Sequence, residues 1–418
     1  MTKRLILAFV FLSWHLVACS NGDSGISSGL PDKPSAEEDS PGTETISEEM
    51  RVKITGEDLY ISAKLDAKTD ILYWFKKCMF NELFTFYRVG TIDNNMPAPA
   101  TLPDASPTSL LNLAYSDNIG PFNITGYGWC GGNHPYLDEV TQTARNIGYR
   151  IYIDGKEIKT DLSTLTKEIK IEVINEIMNP SKADTSSGKT LLNEILCIET
   201  VNYSIYRNNI QVLVTHEFQN ESPVTVQMYY GMQSMFDKET HTLTANGKYV
   251  DWTVQKDVST FTKKEYPSFR RFIEKSANVY QSSYLFADGL GNHEEISDDD
   301  IIFIGNSSNK TYHKIIADRE HKKGDIIHWS GVYTWFKSPV SDDDDLLCYE
   351  GVIDNKKVLF IDCKKNVDRT IQLPDDYTKK SFTIIEKSKS ITITGNKVTA
   401  KGLRIVSDGS GSCVITFD

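Results

Sequence analysis

From about residue 51 onward, apolar and polar side chains alternate along the chain, and turn residues break the alternation at short intervals. A period of two sends successive side chains to opposite faces of a strand, so the pattern predicts an antiparallel, all-β protein. The strongest local hairpin signal is residues 148–153 followed by Asp154-Gly155, because both turn positions tolerate positive φ. Residues 242–245 with Asn246-Gly247, and 391–394 with Gly395-Asn396, repeat it. Helix is scarce: the best segment is 267–277, where Pro267 opens a run with Phe269, Phe272, Ile273 and Ala277 at helical spacing. Residues 71–88 are too aromatic throughout for a period to decide, and residues 97–112, with four prolines, read as a surface excursion.

Strand parity sorts the side chains further. In residues 210–218, Ile210, Val212, Val214, His216 and Phe218 share one face, and Gln211, Leu213, Thr215 and Glu217 the other. In residues 224–233, Val224, Val226, Met228, Tyr230 and Met232 form the expected core face, and Thr225, Gln227, Tyr229 and Gln233 the polar one. His216 falls on an apolar face, the position of a hydrogen-bonded core histidine. Trp329, Tyr333 and Trp335 recur at even spacing around Gly331, as either core or an aromatic platform.

The chain has 418 residues, 39% of them hydrophobic, enough for a sizeable core and more than one domain. A composition break at Ser341, followed by Asp342-Asp343-Asp344-Asp345, suggests a large β-sandwich over 51–340 and a small C-terminal β domain over 341–418. The Asp run lacks the spaced oxygens and turn glycine of a calcium loop and reads as a solvated linker, as does Ser297-Asp298-Asp299-Asp300. No metal site or cofactor is expected: His313, His321 and His328 fit no zinc spacing. Six cysteines follow Cys19, and a hairpin turning at Asn355-Lys356 would set Cys348 opposite Cys363, within disulfide reach.

The N-terminus carries Lys3 and Arg4, an apolar run over residues 5–16, and Leu16-Val17-Ala18-Cys19. These are the parts of a secretory signal, and the last four resemble the lipobox of bacterial lipoproteins. The resemblance implies a signal peptide over 1–18, an acylated Cys19, and a protein lipid-anchored to the outer membrane in the cell envelope, periplasmic or surface-exposed. Two or more acyl chains hold what one would hold only marginally. Residues 19–50 are acidic, rich in Gly, Ser and Pro, and nearly free of large apolar side chains, a flexible tether of on the order of 30 Å. It resembles the tethers of surface lipoproteins in the Bacteroidetes. The net charge of −12 argues against nucleic acid as a partner.

Several chemistries lose support. The sequence has no Gly-x-Ser-x-Gly elbow, no phosphate-binding Gly-rich loop ending in Lys-Ser/Thr, no dinucleotide fingerprint and no His-Glu-x-x-His. Glycan chemistry survives, because carboxylate pairs or a His/Tyr/Arg/Gln set leave no compact signature. The loop Gly126-Tyr127-Gly128-Trp129-Cys130-Gly131-Gly132-Asn133-His134, with Arg145 beyond it, is the richest candidate. His134 or Tyr229 would abstract a proton, and Arg145, Asn133 and Gln233 would hold an acid group. Trp129, Gln227 and Glu217 complete the expected sugar-facing set. The function expected is a carbohydrate-active protein, a lyase or hydrolase of a complex polysaccharide or oligosaccharide. The alternatives are a non-catalytic glycan-binding lipoprotein and a structural or fimbrial subunit.

Overall fold

A computed structural model describes residues 46–100, 111–114, 120–235, 240–243, 249–251, 259–261, 271–276, 278–286, 302–305 and 310–418. The signal segment, Cys19, the tether up to residue 45, Asn246-Gly247 and the Asp298–Asp300 run lie outside the described residues. The described residues hold strands and two 3-10 turns and no α-helix, so the fold is all-β as the alternation predicts.

Three sheets build the larger part. Sheet I orders the strands Leu162–Thr166, Met50–Thr55, Asp58–Asp66, Thr69–Cys78, Leu83–Asp93 and Leu111–Ala114. Sheet II has ten strands, in the order Tyr249–Asp251, Thr240–Leu243, Arg271–Ser276, Val279–Leu285, Ile326–Phe336, Asn209–Phe218, Ile195–Tyr206, Ile169–Met178, Ala144–Ile153 and Lys156–Ile158. Sheet III runs Ser259–Phe261, Ile302–Gly305, Lys310–His321, Val224–Met235, Pro121–Ile124 and Gly128–Gly131. One continuous core joins all three: Ile61 and Tyr73 from sheet I, Val201, Val212 and Trp329 from sheet II, Phe122 and Tyr229 from sheet III. Sheet II is therefore one layer of a sandwich, and sheets I and III together form the other.

Residues 341–418 fold as a smaller two-sheet unit. Sheet IV comprises Ser341–Asp342, Leu346–Ile353, Lys356–Cys363, Gly411–Phe417 and Phe382–Lys387; sheet V comprises Val367–Ile371, Leu403–Ser407 and Ile391–Ile393. One face of sheet IV packs on sheet V through Leu359, Ile361, Ile405 and Ile415. Its other face, through Leu347, Tyr349, Val358 and Phe360, packs on Tyr280, Tyr284, Val332 and Phe336 of sheet II. Residues 45–418 form one compact unit.

The strand Ile326–Phe336 shows how parity divides the two contacts. Trp329, Tyr333 and Trp335 point into the main core, while Val332 and Phe336 face sheet IV. All three aromatic residues of the inward row are fully buried, so the row is core. Gly331 is required there: a Cβ would come within 2.5 Å of Tyr284 O and 2.8 Å of Met232 Sδ.

Several local expectations are corrected. Arg271–Ser276 is a strand paired with Val279–Leu285, not a helix; residues 267–270 and 277 lie outside the described residues. Phe272 contacts His313 of sheet III, and Ile273 joins the core against sheet IV. Burial on both faces erases the alternation that would have marked a strand. Asp154-Gly155 does close a tight hairpin, with φ of 46° and 79°. The hairpin of Leu346–Ile353 with Lys356–Cys363 turns at Asp354-Asn355, one residue earlier than expected, with both φ positive. Cys348 therefore faces Ile361, Cys363 faces Leu346, and both thiols are free and buried. The strand Ile391–Ile393 pairs with Leu403–Ser407 across a longer connection rather than through a two-residue turn at Gly395-Asn396.

The Asp run is not a solvated linker. Asp342 accepts from the Tyr280 hydroxyl and pairs with Lys364 at 3.0 Å; Asp343 pairs with Arg369 at 2.7 Å and Asp345 with Lys365 at 2.8 Å. The run is pinned against the segment 364–369 that follows the strand Lys356–Cys363. Proline-rich residues 97–100 lie on sheet I: Pro99 O accepts from Arg51 Nε at 3.3 Å, and Ala100 is bonded to Ser62 and Asp70.

Candidate functional site

The strands Asn209–Phe218 and Val224–Met235, close in sequence, belong to sheets II and III on opposite sides of the core. One irregularity also resets the parity of the second strand. Against Pro121–Ile124 the register shifts between Val226 and Met228, which leaves an extra residue at Gln227; the shift against Lys310–His321 between Tyr229 and Tyr230 instead skips Ile315 on the partner strand. A β-bulge of this kind moves every later side chain to the other face. Tyr229 consequently points inward and Tyr230 outward.

Tyr229 is fully buried. Its ring stacks on Phe122 at 4.4 Å, and its hydroxyl accepts a 2.9 Å bond from Trp329 Nε1. Gln233 is also buried, in the segment whose main-chain oxygen accepts from the Tyr333 hydroxyl at 2.8 Å. Asn133 is buried and structural: its Oδ1 accepts from Leu83 N at 3.3 Å, and its main-chain oxygen accepts from Phe80 N. Asn81 completes the clamp, donating to Gly132 O at 2.6 Å and accepting from Thr143 N at 3.1 Å. Together Asn81 and Asn133 bolt the Gly131-Gly132-Asn133 turn to sheet I.

Arg145 and Glu217 lie on the outer face of sheet II. Arg145 is ion-paired with Glu176 on the adjacent strand, and Ala144 and Ile177 beside them enter the core. Glu217 is exposed and accepts from Gln219 Nε2 at 3.1 Å. Both are separated from sheet III by the thickness of the sandwich, roughly 10 Å between sheets.

What the fold does bring together is a half-exposed aromatic group on the outer face of sheet III. Trp129, on the edge strand Gly128–Gly131, lies 6.0 Å from Tyr230 and 6.1 Å from Tyr136 between ring centroids, with planes inclined by 19° and 29°. His134 meets the edge of Tyr136 at 5.7 Å. Asn123 sits directly opposite both Trp129 and Met228, and Tyr230 is opposite Lys314. Gln227 is exposed on the same strand as Tyr230. Gly120 makes the approach of Tyr230 possible, since a Cβ there would lie 1.6 Å from Tyr230 O. Asp138, in the loop beyond Tyr136, caps the amides of Val140 and Thr141, and its carboxyl is held down to about 2, first by the Val140 amide and then by the Thr141 hydroxyl.

Thus Trp129 and His134 of the expected set belong to this group, Gln227 lies on its strand, and Asn133 supports it from beneath. Tyr136 and Tyr230 went unrecognised in the sequence; the aromatic residue two places after His134 was the available signal for the first, while the second was hidden by the bulge.

A second polar group lies inside. His216 Nε2 and Glu199 Oε2 are 2.9 Å apart and fully buried; Asn175 donates to Glu199, and Asn146 to Asn175, each at 2.9 Å. This satisfies the expectation of a bonded core histidine at 216.

No protein-family model matches the sequence, and no curated protein does either. Solved structures with a similar arrangement include a GH36 alpha-galactosidase from Geobacillus stearothermophilus, at 7% identity over 67% of this chain and 40% of that chain, TM-score 0.39. A Glycoside Hydrolase Family 97 enzyme from Pseudoalteromonas sp. strain K8 matches at 6% identity over 70% of this chain and 37% of that chain, TM-score 0.34. A polysaccharide lyase matches at 7% identity over 82% of this chain and 45% of that chain, TM-score 0.28. The chain thus spans less than half the length of each of these three. At such identities and TM-scores they assign it neither a family nor an activity.

Proposed function

We propose that this chain is a carbohydrate-binding protein of the bacterial cell envelope, anchored through an acylated Cys19 and binding glycan on the outer face of sheet III. The observation that carries the reading is the near-parallel set of half-exposed rings at Trp129, Tyr136 and Tyr230. Sugar rings present flat apolar faces edged by hydroxyls, and they bind best where an aromatic plane is flanked by amide and hydroxyl groups. Asn123 supplies an amide beside Trp129, and Asn81 and Asn133 fix the loop that carries His134 and Tyr136, lowering the ordering cost of binding.

Binding without turnover is favoured over lyase or hydrolase chemistry because the candidate acid, base and cation are dispersed: Tyr229 in the core, Arg145 and Glu217 across the sandwich, His134 at the aromatic rim. The test is a glycan panel against the wild-type protein, with product analysis in parallel. Retained glycan with no product supports the reading, and loss of retention in Trp129→Ala with an unchanged melting curve assigns the face. A protein that retains no glycan, or a Trp129→Ala variant that retains it fully, overturns the proposal. For the anchor, Cys19→Ser is expected to abolish acyl labelling and release the protein from membranes.

A further inference from the structure

Resting on the glycan-binding reading, we infer that the ligand is an acidic oligosaccharide lying across the strands of sheet III, with Trp129 at one end and Lys314 at the other. The register sets the frame. Trp129, Asn123, Met228 and Ala317 form one row across four adjacent strands, and Tyr230 with Lys314 begins the next. Three strand spacings cover ~14 Å, more than a single sugar ring and suited to a short oligosaccharide.

The two ends of the row differ in chemistry. Trp129 and Tyr136 offer stacking surfaces at one end, and Tyr230, on the third strand, continues them toward the other. At the other, the half-buried Lys314 stands opposite Tyr230, where an ammonium meets the carboxylate of a uronate or a sulfate ester. The charged residues further along the same strand, Asp318, Arg319 and Glu320, lie beyond the Met228–Ala317 pair, toward Thr225 and Val226. They flank the row without interrupting it. An acidic glycan is thus compatible with an acidic protein, because the local cation rather than the net charge of −12 decides contact at a few ångströms.

The experiment measures binding of the full chain to oligogalacturonates of two to six units, to their methyl esters and to neutral galactan oligomers, at low and high salt. The expected result is affinity that rises with length and falls about fivefold on esterification, with Lys314→Gln erasing the difference between acid and ester while Trp129→Ala weakens both. Equal binding of acid and ester, or a Lys314→Gln variant that keeps the preference, overturns the acidic-ligand inference and leaves glycan binding standing. Affinity independent of length overturns the four-strand path. Absence of binding to all of these, and to sulfated glycans used alongside, overturns the inference together with the function it rests on.

Discussion

Two aromatic groups in this protein look alike as sequence and differ in what surrounds them. Trp329, Tyr333 and Trp335 lie on the inner face of a strand with neighbours on both sides in sheet II, and none of the three is accessible. Trp129 on the edge strand of sheet III, Tyr136 in the loop beyond it and Tyr230 two strands further in face away from the core, and each is only partly buried. Layer position, not residue type, decides which indole is structural. A strand of the middle layer is covered on both faces, whereas a strand of an outer layer has one face to give to a ligand.

The largest effect that tests this contrast is on the buried side. Trp329→Ala removes a full indole from a close-packed site, together with the N–H bond that the Tyr229 hydroxyl accepts. A loss of about 3–5 kcal/mol is expected from the cavity, measured by denaturant unfolding. Gly231 lies against the same ring, with a built Cβ 2.9 Å from Trp329 Cε2, so Gly231→Val is expected to be destabilising as well. A change below about 1 kcal/mol in Trp329→Ala would mean that the inner row is not packed as described.

Next in size is a pH effect on the same inner layer. His321 stacks on Phe218 at 4.3 Å, and burial, then Arg319, pushes its imidazole down to about 4. The folded state holds this proton less tightly than the unfolded chain, whose histidine titrates near 6.5. The contribution is therefore complete above pH 6.5 and is lost as pH falls toward 4, to the extent of about 2–3 kcal/mol. His321→Phe keeps the stack and removes the titration. Its stability curve between pH 7 and 4 is expected to be flatter than wild type, and curves of equal slope would refute the assignment.

How much of this was legible in the sequence follows from the same geometry. Alternation identified the all-β fold and the inward set at Val212, Val214 and His216, because that strand runs without a bulge against both neighbours. It failed on the next strand for one reason: an inserted residue near Gln227 leaves the composition unchanged while exchanging Tyr229 for Tyr230. It failed at 271–276 because a strand covered on both faces shows no alternation. The glycines around Trp129 did mark an irregular loop, but the role of Asn133 as a clamp depends on Asn81 and Leu83, about fifty residues away, a tertiary pairing that no local pattern encodes.

The exposed group is expected to answer in the opposite sense. Trp129→Ala should cost less than about 1 kcal/mol in stability, since the ring is only partly buried, yet should reduce glycan affinity at least tenfold, read by affinity electrophoresis and calorimetry. If Trp129→Ala unfolds the protein, the two aromatic groups are not different in kind, and the platform is part of the core.

The smallest expected effect is the sharpest discriminator between the two outer faces. Arg145 forms an exposed ion pair with Glu176, of a kind that contributes about 0–1 kcal/mol in water. It lies on sheet II, across the sandwich from Trp129. Arg145→Gln is therefore expected to leave the melting temperature within about 2 °C of wild type, and glycan affinity within a factor of two. Arg145 was expected to hold a sugar acid and Glu217 to face the sugar, and both occupy the other outer face. A large loss of binding in Arg145→Gln, with Trp129→Ala silent, would move the ligand to sheet II and make the aromatic face a structural rim. The reverse pattern ties recognition to the outer face of sheet III, where the bulge at Gln227 has turned Tyr230 outward beside Trp129.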